Sequence, residues 1–211
     1  MSPLYRLITV LLILSAAACG DCPGAQNPLI DVNKADPTIR VEVKYASADN
    51  FMKEILYPEA RCLLLRPTAE RLVRVQARLK PMGYCLKVFD GYRPLSVQKK
   101  MWERFPLDGF VANPAKGSNH NRGAAVDLTL TDLQGAELEM PSVYDEFSER
   151  AHRDYAKASP TALAHRKILE DAMTAEGFRG LPSEWWHFDD PDAKKYPILD
   201  LPLSDVEAAA S

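Results

Sequence analysis

The chain has 211 residues, 46% of them hydrophobic and 26% charged, the composition of an ordinary water-soluble globular protein with room for a single sizeable core. Its 26 Lys and Arg against 29 Asp and Glu give a net charge of −3. So mild an acidic balance gives no reason to propose a nucleic-acid partner or a polybasic membrane contact.

At the N-terminus Arg6 precedes a mostly apolar run from Leu7 to Leu14, and the small residues Ser15, Ala16, Ala17 and Ala18 lead into Cys19. That is the build of a secretory signal peptide. The run is too short to span a hydrocarbon core, which takes roughly 20 apolar residues. Residues 1–18 are read as a leader, 19–30 as a tether, 31–203 as the folded domain and 204–211 as a flexible tail. The mature protein is expected outside the inner membrane, in the periplasm. Cys19 leaves two readings open: the lipid acceptor of a lipoprotein, which would be the chain's one membrane attachment, or a plain thiol. Cys62 and Cys85 are either bridged in an oxidising compartment or buried as two free thiols. None of the four cysteines has zinc-finger spacing.

Along the chain, Arg40 to Tyr45 alternates apolar and charged residues, the pattern of a half-buried strand. A helix is predicted from Pro67 to about Lys80, with Leu72, Val75 and Leu79 on one face and Pro81-Met82-Gly83 as its stop. Leu86 to Phe89 reads as a strand, followed by Asp90-Gly-Tyr-Arg93-Pro94 and a helix from about Leu95 to Phe105. Residues 106–123 are punctuated by Pro and Gly and read as loop. Ala125 to Leu130 is a strand, with Val126 and Leu128 facing away from Asp127. Ser159 caps a helix that begins at Pro160 and stops at Gly177, and the last segment holds Glu184-Trp-Trp-His187-Phe188. Strands and helices do not alternate regularly, so the fold class is α+β in a single domain.

Two stretches carry chemistry. In Ser118-Asn-His120-Asn-Arg-Gly123-Ala-Ala-Val-Asp127, an imidazole on a loop and a carboxylate on a strand stand seven residues apart, a spacing that suits a tight turn at Gly123. His187 supplies a second imidazole. His120, Asp127 and His187 are good ligands for Zn²⁺ and, as three protein groups, leave a fourth position for water. Glu184 is the candidate proton acceptor. In an extended segment residues 184 and 187 point to opposite faces, so their cooperation requires an irregularity there. Arg93, held by Pro94 after a strand, could offer its guanidinium to a developing oxyanion or to a substrate carboxylate. His152 and His165 sit among charges on polar stretches and read as surface residues.

SxHxxGxAxD at 118–127 and ExWH at 184–187 resemble the two signatures of the zinc D-Ala-D-Ala peptidases. KYASADNF at 44–51, LYPEARC at 56–62, VFDGYRPLSVQ at 88–98 and DEFSERAH at 145–152 make the chain similar to the D-alanyl-D-alanine dipeptidase branch, the VanX type. The likeness covers roughly residues 28–200. It implies a compact α+β domain with a central antiparallel sheet flanked by helices, an architecture shared with the hedgehog signalling domain. It also implies one zinc ion per chain on His120, Asp127 and His187, Glu184 as catalytic base and Arg93 as transition-state donor. Ser118 would line the substrate pocket and Asp145 would hold the substrate amino group. The implied reaction is hydrolysis of D-Ala-D-Ala to two D-alanines. Resistance-type members of this branch act in the cytoplasm, and the leader at residues 1–18 departs from them and points instead to salvage outside the inner membrane. The alternatives are a D,D-carboxypeptidase or L,D-endopeptidase acting on longer peptides, and a non-catalytic binding module that keeps its zinc.

Overall fold

The apolar alternation in the middle of the chain builds a five-stranded sheet, on which the two longest helices pack. The computed structural model describes residues 28–107 and 109–205. In chain order the elements are β1 (Leu29–Asp31), α1 (Val32–Ala35), β2 (Arg40–Val41), β3 (Leu63–Leu65), α2 (Arg66–Leu79), β4 (Tyr84–Asp90), α3 (Leu95–Arg104), β5 (Ala125–Asp132), α4 (Pro160–Ala175), β6 (Arg179–Leu181) and β7 (Glu184–Asp189). The large sheet runs β2-β4-β5-β7-β6, and β1 and β3 form a small antiparallel sheet of their own. Every pairing in the large sheet is antiparallel except that of β2 with β4.

Helix α2 starts with Pro in its first turn and buries Leu72, Val75 and Leu79 as expected. In α4 the Ser159 hydroxyl accepts from the Ala162 amide at 3.0 Å, filling one of the donors that a helix start leaves open. Both helices pack on the sheet and on each other, α2 along β4 and α4 along β5. On the opposite face, Tyr144 lies against Phe89 and Trp186, with ring centroids 4.8 and 5.4 Å away. Strand β5 is therefore covered on both faces: Val126, Leu128 and Leu130 are fully buried, and so are Thr129 and Thr131.

The structure departs from expectation in three places. The strand expected over residues 40–45 stops at Val41, and Lys44–Ala46 forms a 3-10 turn that buries the Tyr45 ring. Strand β1 begins at Leu29, which is fully buried, so ordered structure reaches into the stretch read as tether. Cys62 and Cys85 are buried free thiols, so the bridge does not form. The reason is distance. The Cys62 Sγ packs against Gly91, which stands six residues beyond Cys85 along extended β4, or about 20 Å, whereas a disulfide needs Cα atoms within about 7 Å. The leader, Cys19 and Cys22 lie outside the described residues. Among those described, no helix is long and apolar enough to cross a membrane.

Candidate active site

Three neighbouring strands present acidic and imidazole side chains in one row. Asp127 on β5 stands opposite Asp90 on β4 and opposite His187 on β7. Residues directly across an antiparallel pair share a face, so the sheet alone sets these three side by side. His120 arrives from a 3-10 turn, His120–Arg122, that ends at Gly123 with φ +64°. A side chain at Gly123 would be strained at that angle, and its Cβ would lie 2.5 Å from Leu29. The turn docks on the chain leaving β4: the Arg93 amide donates to the His120 carbonyl at 3.1 Å, and the Asn121 side-chain amide donates to the Arg93 carbonyl at 2.9 Å.

The result is a tight triad. His187 Nδ1 is 2.9 Å from Asp127 Oδ1, His120 Nε2 is 3.3 Å from the same oxygen, and the two ring nitrogens are 3.1 Å apart. Ligand atoms arranged tetrahedrally around a zinc-sized ion lie about 3.4 Å from one another, so this spacing suits a small divalent cation. The far ring nitrogens are held as metal-binding imidazoles require. His120 Nδ1 donates to the Gly91 carbonyl at 2.7 Å, and His187 Nε2 donates to Asp189 Oδ1 at 3.0 Å. Each ring thereby turns its other nitrogen toward Asp127.

Electrostatics point the same way. Burial by itself would lower the His187 pKa, but hydrogen bonds to Asp127 and Asp189 outweigh it and raise the value to about 10. Burial would raise Asp127, yet His120 and His187 hold it well below the usual carboxylate range. The same two carboxylates, Asp127 and Asp189, would offset the charge of a bound dication. Glu184 differs: burial, helped by the charge of Asp127, lifts its pKa to about 7 against the opposing pull of His187, His120 and Arg93. Its Oε2 lies 4.0 Å from His187 Nδ1. A carboxylate poised near neutrality beside a cation site can accept a proton and release it again.

The buried Arg93 guanidinium is fixed on two sides. Nε and Nη2 donate to Asp90 Oδ2 at 3.0 and 2.6 Å, and Nη1 donates to Gln98 Oε1 at 2.9 Å. Three of its five N–H donors are engaged in this way, and two remain for a ligand. Tyr57 donates to the other Asp90 oxygen at 2.8 Å. Ser118 and Asp145 both line the same cavity of about 290 Å³ as the triad, Glu184 and Arg93. The Ser118 hydroxyl accepts from the His120 amide at 3.2 Å. Asp145, with φ +58°, accepts from the Tyr45 hydroxyl at 3.0 Å. All seven residues singled out in the sequence thus meet at one cavity.

Sequence reasoning missed the residues that hold these seven in place. Asp90 stands three positions before Arg93 and Asp189 two after His187, and only their strand positions could have flagged them. Tyr144 donates to Asp127 Oδ2 at 3.0 Å, and its oxygen lies 3.2 Å from the Tyr45 hydroxyl. That link runs across about a hundred residues of chain and has no sequence signal.

Comparison with known proteins agrees with this site. Residues 25–207 match the peptidase family M15 model, described as D-ala-D-ala dipeptidase. The chain is 39% identical over 171 residues to the D-alanyl-D-alanine dipeptidase of Escherichia coli K12, covering 81% of this chain and 89% of that one. It is 30% identical over 192 residues to the D-alanyl-D-alanine dipeptidase of Enterococcus faecalis V583, covering 80% of this chain and 90% of that one. The same identity over 190 residues relates it to the enzyme of that name from Streptomyces coelicolor, covering 79% of this chain and 93% of that one. With the family model spanning the whole described domain and the metal-ligand geometry in place, the chain belongs to the D-Ala-D-Ala dipeptidase family of metallopeptidases.

Proposed function

We propose that the protein hydrolyses D-Ala-D-Ala to two D-alanines with zinc on His120, Asp127 and His187. The observation that carries this reading is the convergence of those three ligands with Glu184 and Arg93 on one small cavity. A bound ion supplies Lewis acidity toward water and the peptide carbonyl. Glu184 accepts the proton of the attacking water and delivers it to the leaving amine, which its near-neutral pKa suits. Arg93 directs its two uncommitted N–H donors at the oxyanion, and because Asp90 and Gln98 already hold the guanidinium, little reorganisation is needed in the transition state. Asp145 faces the substrate ammonium, and Ser118 lines the pocket.

The volume favours a dipeptide over a longer peptide. About 290 Å³ is at the lower end of ligand pockets, and Phe51, Phe110 and Phe147 contribute to its wall. The leader-like segment at residues 1–18 supports export, with Cys19 as the residue that would accept a lipid anchor, and so a role in salvage of dipeptide outside the inner membrane.

The deciding experiment incubates the zinc-loaded protein with D-Ala-D-Ala, L-Ala-L-Ala and a pentapeptide ending in D-Ala-D-Ala, and follows released D-alanine. Turnover confined to the D,D-dipeptide is expected. Preferential release from the pentapeptide would replace this reading with that of a carboxypeptidase, and bound zinc without turnover would leave a binding module.

A further inference from the structure

Glu184 and His187 stand three residues apart on β7, so a regular strand would point them to opposite faces of the sheet. Both nevertheless line the one cavity. The pairing with β6 shows how. Leu181 lies opposite Glu184, but Gly180 lies opposite Phe188, so no β6 residue faces Trp185, Trp186 or His187. The hairpin is therefore open along the segment that must be held most accurately.

One side chain spans that opening. Arg153 follows the Glu149–Ala151 turn, far from the hairpin in sequence. Its Nε donates to the Leu181 carbonyl at 2.9 Å and its Nη2 to the His187 carbonyl at 2.6 Å. Its backbone amide donates to the Pro182 carbonyl at 3.0 Å. The guanidinium lies over the Phe188 ring, 4.2 Å from its centroid, and Nη1 is 3.8 Å from Glu170. Room for it exists because residue 180 is glycine: a Cβ there would fall 2.2 Å from the Arg153 Cζ. The planar fork thus replaces the missing ladder bonds on both arms of the hairpin.

From this geometry we infer that Arg153 is a positioning residue for the reaction, setting the irregular β7 segment so that Glu184 and His187 face one site. The inference rests on the proposed roles of those two residues. It makes Arg153 different from a general stabiliser of the fold, because the carbonyls it holds belong to a metal ligand and to the residue paired with the base.

The test compares Arg153→Ala, Gly180→Ala and the double variant, measuring kcat, KM, zinc affinity by chelator competition, and Tm. Gly180→Ala keeps the arginine and displaces its guanidinium, the flexible end of a side chain. Arg153→Ala is expected to lower kcat by about 10- to 100-fold and zinc affinity by about tenfold, the range seen when a group that orients a metal ligand is lost, with KM within about threefold. Gly180→Ala should reproduce that pattern, and the double variant should be no worse than Arg153→Ala, because both changes remove the same contact. Guanidinium at low millimolar concentration should restore part of the kcat of Arg153→Ala. A lowered Tm with kcat and zinc affinity unchanged would overturn the inference, leaving a structural role only. So would fully additive losses in the double variant. If Arg153→Ala does not fold, Gly180→Ala decides alone by the same criteria. If the wild-type protein binds zinc but leaves D-Ala-D-Ala intact, the proposed function fails, while the zinc-affinity comparison still tests the positioning role.

Discussion

At the scale of single residues, the proposed mechanism separates charge from proton transfer. Asp127 is held ionised by the two imidazoles, whereas burial leaves Glu184 close to neutrality. Two carboxylates on adjacent strands thus acquire opposite pKa shifts from their surroundings, as the proposed division of duties requires. Glu184→Gln should retain stoichiometric zinc and lose on the order of a thousandfold or more in kcat, equivalent to about 4 kcal/mol of transition-state stabilisation; metal analysis alongside initial rates checks both halves. The pH profile follows from the same group. A base must be ionised to act, so activity falls as pH drops through the Glu184 pKa. Burial raises that pKa to about 7, and a nearby bound cation lowers it again. The acid limb of kcat/KM should therefore lie at or below about pH 7. A limb centred well above 7, or a flat profile from about pH 4 to 8, would remove Glu184 from the role of base.

At the scale of elements, the site depends on how strands are interrupted as well as on how they pair. Asp127 and His187 need only the register between β5 and β7. His120 needs a turn closed by a left-handed residue, and Glu184 needs the shift in the β6–β7 hairpin. Gly123→Ala tests the first interruption. An alanine there meets an unfavourable φ, at a cost of about 1–2 kcal/mol, as well as the Leu29 side chain. Expected are a fall in Tm of several degrees and weaker zinc binding as His120 shifts, read by calorimetry and chelator competition; unchanged affinity would show that the turn does not place the ligand. The Gly and the two signatures that surround these interruptions were legible beforehand. Their geometry was not, because a register shift depends on which strand happens to lie alongside.

At the scale of the whole molecule, the proposed metal ligands join two distant parts of the chain: the turn and strand β5 that carry His120 and Asp127, and strand β7 about 60 residues further on. An ion bound by all three ligands exists only on the folded form, so its binding free energy adds to folding stability. With free zinc about a thousandfold above Kd, the gain is about 4 kcal/mol. For a domain of this size that corresponds to a Tm shift on the order of 10 °C. Thermal melts before and after chelation, and again after zinc is restored, check this; an unchanged Tm would mean that the triad does not hold the ion.

Local chemistry was readable from the linear chain. Helix starts and stops, the alternation through β4 and β5, and the residue types able to bind a cation or move a proton are written in neighbouring residues, because they depend on interactions within a few positions. The family resemblance, through its two signatures and the segments around Arg93 and Asp145, groups the same seven side chains from the sequence alone. What required the folded molecule was everything settled by contacts between distant segments. The parallel pairing of β2, the separation of Cys62 from Cys85, the Asp90 and Gln98 grip on Arg93, and the Arg153 bridge across an open hairpin all belong to this class. Each depends on which groups meet once the core has closed, and no local run of residues specifies that meeting.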